Sequence, residues 1–377
     1  MWRKAGELKG KRIIQHVKNL KPDLQKLSII PTLLCNARCK FCHIWGKKGW
    51  ALKEPHGVIK EQINFELLCR FIKAAMVSEK NFGVFLTGGE PLLYSEFPRL
   101  LKFIKNNKLP LTVFTNGSLL KKNSRIVAES VTTIAVSLDG PPGVHDKIRC
   151  IKNLFFDACE GIKTLFEIKK QKKCVLPLLR INYVISEYNA HCINEFVKAI
   201  KEQFEPIGAK LKFDNMSLEP NAITVTFEPR LFTTKDMGKK YALEMKNYLN
   251  CNVSSSWRGF IFDKSRLDPA KIKKNLVKIW KKEGTCFSHF VDLKEYFENI
   301  NNVFGRIRCF RPWREIRIYP NGEVYICPDL KDFSLGNIYE SPFKEIWNGN
   351  RIFQFRNVLR NRLLSLCNRC CRLFSYY

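Results

Sequence analysis

Three cysteines, Cys35, Cys39 and Cys42, sit within LLCNARCKFCHIW, spaced by three and then two residues directly after a β-rich run. Closely spaced thiolates in a short loop suit an iron–sulfur cubane, and a fully ligated [4Fe–4S] cluster takes four. Three leave one iron open to bind something else. Structural zinc is the competing reading, because His43 stands beside Cys42 as a fourth ligand for tetrahedral coordination.

A second set lies near the C-terminus: Cys309, then Gly322 after twelve intervening residues, Cys327 after four more, and Cys367 with Cys370 in CNRC. Four thiolates close one cluster or one zinc site. Cys371 is a spare or alternative ligand. Cys69, Cys150, Cys159, Cys174, Cys192, Cys251 and Cys286 sit singly and read as buried thiols.

Between the two sets lie polar motifs. In TGGEPLL (87–93), Gly88 and Gly89 let the backbone approach a ligand, and Glu90 offers a carboxylate to an ammonium group. TNG (115–117) and SLDGPPGVHDKIR (137–149) supply Asn116, Ser137 and Asp139, short side chains suited to ribose hydroxyls or a carboxylate. Turn formation is the competing role for Asn116 and Asp139. Arg180 and Asn182 alternate with apolar residues and share one strand face, expected to be interior.

These residues need a scaffold, and the pattern around them supplies one. Predicted strands at 27–34, 82–87, 111–115, 133–139, 178–186 and 209–217 alternate with amphipathic stretches such as FELLCRFIKAAM and FPRLLKFIKNN. That rhythm predicts an α/β fold on a parallel sheet, doubly wound or forming a complete or partial barrel. Each motif follows a strand end, the face where such folds bind ligands. Residues 1–28 read as a basic amphipathic helix with Ile13, Ile14, Val17 and Leu20 on one face, and 29–217 as the core. Residues 218–304 read as a helical linker or insertion, and 305–377 as a cysteine-rich unit opened by a hairpin around Pro320, Asn321 and Gly322.

The chain has 377 residues, 45% hydrophobic and 27% charged, which excludes a mainly disordered state. No apolar run reaches the roughly 18 residues of a membrane span. Fifteen cysteines without a secretory leader point to reduced thiols and metal ligands in the cytoplasm. The formal charge of +30 favours an acidic partner, whether nucleic acid, a phosphorylated substrate or an anionic membrane surface. The lysines are dispersed, however, and a run such as KKQKK (169–173) reads equally as solvated surface.

Taken together, C-x3-C-x-aromatic-C with Phe41 before Cys42, followed by Gly88-Gly89-Glu90, resembles the radical SAM superfamily. C-x12-G-x4-C with the later CNRC resembles a SPASM or twitch domain in its shorter, single-cluster form. The resemblance implies a partial (β/α)6 TIM-like barrel followed by a small cysteine-rich β-hairpin/helix domain. It implies a [4Fe–4S] cluster on Cys35, Cys39 and Cys42 whose open iron chelates S-adenosylmethionine. Glu90 would hold the methionine amino group. Phe41, Gly88, Gly89, Asn116, Ser137, Asp139, Arg149, Arg180 and Asn182 complete the cofactor-binding set, with His145, Asp146 and Arg149 organising their loop. The family's adenine-binding motif near the sixth strand is not clear here.

Reductive cleavage would yield a 5′-deoxyadenosyl radical that abstracts hydrogen from an unidentified substrate, a small molecule or peptide being favoured. A second, auxiliary [4Fe–4S] cluster would sit on Cys309, Cys327, Cys367 and Cys370. A reductant such as flavodoxin or ferredoxin is the implied partner. Two other classes remain open: a nucleic-acid-modifying or nucleic-acid-binding iron–sulfur protein, to which Trp45 and Trp50 would lend stacking surfaces, and an electron carrier or zinc-stapled scaffold. The last leaves Gly88, Gly89 and Glu90 without a purpose.

Overall fold

Period-two alternation builds the scaffold. The computed structural model describes residues 20–213, 217–254, 256–261, 267–283, 293–301, 303, 309–327 and 331–370. It contains the strands β1 (Lys26–Ile29), β2 (Gly83–Leu86), β3 (Leu111–Thr115), β4 (Thr133–Ser137), β5 (Leu178–Ile185), β6 (Lys210–Phe213), β7 (Ala222–Pro229), β8 (Glu315–Ile318), β9 (Glu323–Tyr325) and β10 (Ser334–Asn337). They form one sheet in the order β10-β9-β8-β1-β2-β3-β4-β5-β7-β6. The run from β8 to β6 is parallel, and β9 and β10 are antiparallel.

One register row explains the packing. Ile318, Ile29, Leu86, Val113, Ile134, Leu179 and Ile223 lie side by side across seven strands, and all are buried in one core. Each such side chain contributes roughly 1.5–3 kcal/mol through burial. The helices Phe65–Ser78, Phe97–Asn106, Leu120–Ser130, Leu154–Lys172 and Ile193–Phe204 cover that face. Side chains one residue away point to the other face, where polar Ser28, Thr112, Arg180, Thr224 and Lys212 lie together with Phe85 and Ala135. The open strand order matches the expected partial barrel in preference to a closed one.

Two expectations change. Residues 218–304 were expected to be mainly helical, and they hold the helices Lys235–Leu249, Pro269–Glu283 and Leu293–Glu298, yet β7 begins at Ala222 and pairs with β5 over seven register positions. It displaces β6, the expected sixth strand, to the sheet edge. The physical reason is legible: Ile223, Val225 and Phe227 alternate with Thr224, Thr226 and Glu228, a strand pattern after the turn at Pro220 and Asn221. At the N-terminus the expected helix lies outside the described residues up to position 19; residues 20–25 are not helical and Lys26 opens β1.

The C-terminal hairpin forms around Gly322, whose φ of +81° suits glycine. It continues the core sheet, because β8 pairs with β1. Buried Glu315 ties the two: the Ser28 hydroxyl donates to Oε1 at 2.9 Å, and Lys26 Nζ lies 3.5 Å from the same oxygen. Among the described residues no helix is long and apolar enough to cross a membrane.

Candidate metal and cofactor centre

After β1 the chain turns through the cysteine loop, where every sulfur of the triplet meets an N–H donor. The Ala37 amide approaches Cys35 Sγ at 3.4 Å, the Trp45 amide approaches Cys42 Sγ at 3.3 Å, and Arg149 Nη1 approaches Cys39 Sγ at 3.6 Å. The loop is pinned from both sides. Trp45 Nε1 donates to the Leu33 carbonyl at 2.8 Å, and Arg38 stacks on Trp45 while donating to the Cys35 carbonyl. The last carbonyls of the helix Pro142–Arg149, those of Ile148 and Arg149, accept from Lys40 and Arg38. That helix end satisfies its orphan acceptors with the cysteine loop itself.

Burial pushes the Cys35 thiol up to about 11 and the Cys39 thiol up to about 12. The mutual charge of the three sulfurs adds to this, and Arg149 opposes it. Desolvated thiols that repel one another as thiolates, each with a donor in place, are the environment that bound iron would relieve, since a coordinating metal deprotonates a thiol outright. The residues present therefore fit a cluster. Among the described residues no three His, Cys, Asp or Glu side chains converge as a single-ion site; a cubane, with irons at separate corners, needs thiolates spread around it.

The glycine pair stands against this loop. A Cβ on Gly89 would collide with the Leu33 and Leu34 carbonyls, and one on Gly88, at φ +120°, with Ile30. The first use of these glycines is thus close packing of backbone on backbone, with the Gly89 and Glu90 amides donating to Thr32 and Leu34. Glu90 is 1% exposed. Its carboxylate accepts from the Thr115 hydroxyl at 2.7 Å, the Asn116 amide at 2.8 Å and the Leu92 amide at 3.2 Å. Burial still raises it from 4.5 to about 7, against those hydrogen bonds and the charge of Arg149.

Asn116 also joins its side-chain amide to Asn36 Oδ1 at 2.8 Å, so the end of β3 aligns both Glu90 and the cysteine loop. Asp139 turns inward. It is fully buried, and its carboxylate accepts from Arg149 Nε at 2.7 Å and from the Val184 amide at 3.0 Å, while its own amide donates to His145 Nδ1. Asp146 accepts from the Asn153 and Phe155 amides at the start of the helix Leu154–Lys172. Ser137 ends β4 half-buried, in register with Asn182 on β5. Arg180 reaches Thr226 Oγ1 at 3.1 Å and Glu228 at 2.8 Å, and Thr226 donates to Asn182 Oδ1 at 2.8 Å. The expected interior residues thus form one polar row with β7.

Sequence reasoning missed the partners of Phe41. Two guanidiniums, those of Arg149 and Arg230, each lie 5.7 Å from its ring centroid. Arg230 directly follows β7 and pairs with Glu187, both side chains under a tenth exposed. The strand pattern of residues 222–229 would have placed Arg230 at a ligand-facing end.

The second cysteine set also assembles. Cys327, Cys367 and Cys370 line one cavity with Phe232 and Phe260, and Cys309 acts electrostatically on Cys367 together with Cys370. Burial and those neighbouring sulfurs push the Cys367 thiol well up. The same argument fits a cluster here, with four thiolates; Cys371 lies outside the described residues. Buried Tyr296 bridges the two centres. Its hydroxyl lies 3.0 Å from the Arg369 carbonyl beside Cys370 and 3.3 Å from the Arg230 carbonyl beside the first site.

A profile of the radical SAM superfamily matches residues 29–198, and one described as an iron–sulfur cluster-binding domain, SPASM, matches residues 309–371. A probable GTP 3′,8-cyclase of Sulfolobus acidocaldarius is 29% identical over 182 residues, 46% of this chain and 51% of that protein. The chain therefore spans about half the length of that cyclase. A tungsten-containing aldehyde ferredoxin oxidoreductase cofactor-modifying protein of Pyrococcus furiosus is 19% identical over 346 residues, 90% of this chain and 85% of that protein.

Among solved structures, Streptococcus suis SuiB bound to S-adenosylmethionine aligns with a TM-score of 0.57 at 18% identity, over 91% of this chain and 70% of that one. The structure of anSMEcpe with bound AdoMet aligns with a TM-score of 0.58 at 18% identity, over 89% and 81%. At these identities the likeness is one of fold. Radical SAM domains bind a [4Fe–4S] cluster with S-adenosylmethionine, and SPASM domains bind auxiliary iron–sulfur clusters. With both profiles falling on the two cysteine sets that the fold assembles, this chain carries a radical SAM domain over residues 29–198 and, C-terminal to it, a SPASM domain over residues 309–371.

Proposed function

We propose that this chain is an enzyme that starts its reaction by hydrogen abstraction, acting on a polar small molecule or peptide held against the inner face of the sheet. The observation that carries this reading is the placement of Glu90, a buried carboxylate fixed by Thr115 and Asn116 beside the donor-lined cysteine triplet. When bound, the cluster on Cys35, Cys39 and Cys42 and S-adenosylmethionine supply a 5′-deoxyadenosyl radical.

The chain's own residues do the rest. Glu90 takes the ammonium of the methionine moiety. Arg149 neutralises Cys39 and, with Arg230, fixes Phe41 beside the loop. Ser137, Arg180, Asn182, Thr226 and Glu228 present a row of both charges and neutral hydrogen-bonding groups to the bound molecules. Cys309, Cys327, Cys367 and Cys370 would hold the auxiliary cluster. With four thiolates it would keep no open iron and would supply electron exchange, while Tyr296 ties its site to the core.

A peptide is one supported occupant, because the SuiB fold, aligned at 14% identity and a TM-score of 0.57, has been solved with its precursor peptide SuiA. Anaerobically reconstituted protein with a strong reductant should convert S-adenosylmethionine to 5′-deoxyadenosine and methionine, and Cys39→Ala should abolish this. Cleavage that survives the substitution would overturn the mechanism.

A further inference from the structure

The KKQKK run is not uniformly solvated surface. Lys169 is 2% exposed, although it sits in the last turn of the helix Leu154–Lys172. Its ammonium has no hydrogen-bond partner among the described residues. Lysines are almost never fully buried unpaired, because an isolated charge strongly disfavours leaving water. Burial accordingly pulls Lys169 down from its ordinary value.

The side chain lines an open-mouthed cavity with about 800 Å³ of empty space, counting its solvent-side mouth. Lys170 and Lys173 line it too, and among the described residues no acidic one does. Phe166, Ile207 and Pro220 make an apolar wall. Glu219, near Pro220, is engaged by Lys210 and Lys212. Among the described residues, no acidic side chain thus neutralises the three lysines.

The cavity belongs to no site described so far. Its remaining lining residues, Cys174, Gly208 and Asn221, precede β5, β6 and β7, so it opens at the N-terminal ends of three adjacent parallel strands. The cysteine loop and Glu90 follow strand ends at the opposite edge.

We propose that this cavity binds a phosphate-bearing small molecule, with the phosphate on Lys170 and Lys173 at the mouth and on the Lys169 ammonium, which is closed to water in the unliganded chain and turns toward the ligand on binding. The organic part lies against Phe166, Ile207 and Pro220. A phosphate brings three acceptor oxygens and up to two negative charges, which suits three ammonium groups. A carboxylate brings two oxygens and one charge. A water molecule would satisfy the hydrogen bond but leave three like charges together.

The test is calorimetric titration of the full chain at fixed ionic strength with inorganic phosphate, phenyl phosphate and acetate. One saturable site per chain is expected for the first two, with phenyl phosphate tighter and acetate at least about tenfold weaker than phosphate. Lys169→Met should weaken phosphate by about tenfold or more, the usual effect of losing a hydrogen bond to a charged group. Lys198→Met, on an exposed helix face, should change nothing, and Cys39→Ala should leave phosphate binding intact.

Absence of saturable phosphate binding, or equal affinity in Lys169→Met, overturns the site. Phenyl phosphate binding no tighter than phosphate overturns the assignment of an ester. Should Lys169→Met fail to fold, Lys173→Ala decides: weakened phosphate binding supports the site, and unchanged binding overturns it.

Discussion

The Thr115 hydroxyl donates to Glu90 Oε1 at 2.7 Å across 25 residues of sequence. The next residue, Asn116, donates its amide to the other oxygen of that carboxylate and its side chain to Asn36 in the cysteine loop. One strand end therefore sets the position of the acid and of the thiolate loop together, and a change at Thr115 is felt at both.

Thr115→Val keeps the shape and removes the donor. A buried carboxylate that loses one of three donors should cost about 1–3 kcal/mol of stability, read as a lower urea midpoint with an unchanged slope. Thr115→Ser should restore most of it. An unaltered midpoint in the valine variant would mean that Glu90 finds another partner.

Glu90 also makes S-adenosylmethionine binding depend on pH. Without ligand its carboxyl titrates at about 7 when folded and near 4.5 when unfolded. Between those values the folded chain holds the extra proton, so stability declines as pH rises through the window, by on the order of 3 kcal/mol above pH 7. An ammonium placed on the carboxylate reverses this by favouring the ionised form. Binding should therefore release a proton and tighten as pH rises through 7. Titration calorimetry of cluster-loaded protein in buffers of different ionisation enthalpy should show the release at pH 6 and not at pH 8. Glu90→Gln should remove the difference.

How far the sequence revealed this arrangement depended on how local each signal was. The triplet, Gly88-Gly89-Glu90, Thr115-Asn116-Gly117 and the terminal CNRC are short runs, and the fold brings each to a site. Asp139 and Arg149 were legible as residues but not as partners, because their bond across the Pro142–Arg149 helix depends on how the helix packs. The pairing of Arg230 with Glu187 spans 43 residues and depends on β7 lying next to β5, which local pattern does not dictate. β7 itself was legible, but the lysine-rich helices after it dominated the reading of residues 218–304. Burial of Lys169 was hidden for a related reason: a lysine run looks solvated until the helix end docks over the starts of three strands.

Arg149 links the fold to the cluster, so its replacement should have two separable effects. Arg149→Met leaves Asp139 buried without its counter-charge, which should cost about 3–5 kcal/mol. It also removes a positive charge beside Cys39, so the reduction potential of the loaded cluster should fall. Arg149→Lys keeps the charge but not the two-pronged bond to Asp139. It should therefore restore the potential more fully than the stability. Parallel recovery of both in the lysine variant would contradict separate roles.

What the C-terminal cysteines hold is measurable by metal content alone. Two cubanes require about eight irons and eight sulfides per chain, whereas a single cubane requires about four of each. Cys367 lies between Cys309 and Cys370 electrostatically and lines the same cavity as Cys327 and Cys370, so its loss should open the whole second site. Cys367→Ala should lower reconstituted iron from about eight to about four and leave the S-adenosylmethionine-perturbed spectrum of the first cluster in place. Cys39→Ala should do the converse, losing that spectrum while retaining about four irons. Four irons with one zinc in the unaltered chain, and no loss of iron in Cys367→Ala, would assign the second site to zinc and remove its electron-transfer role.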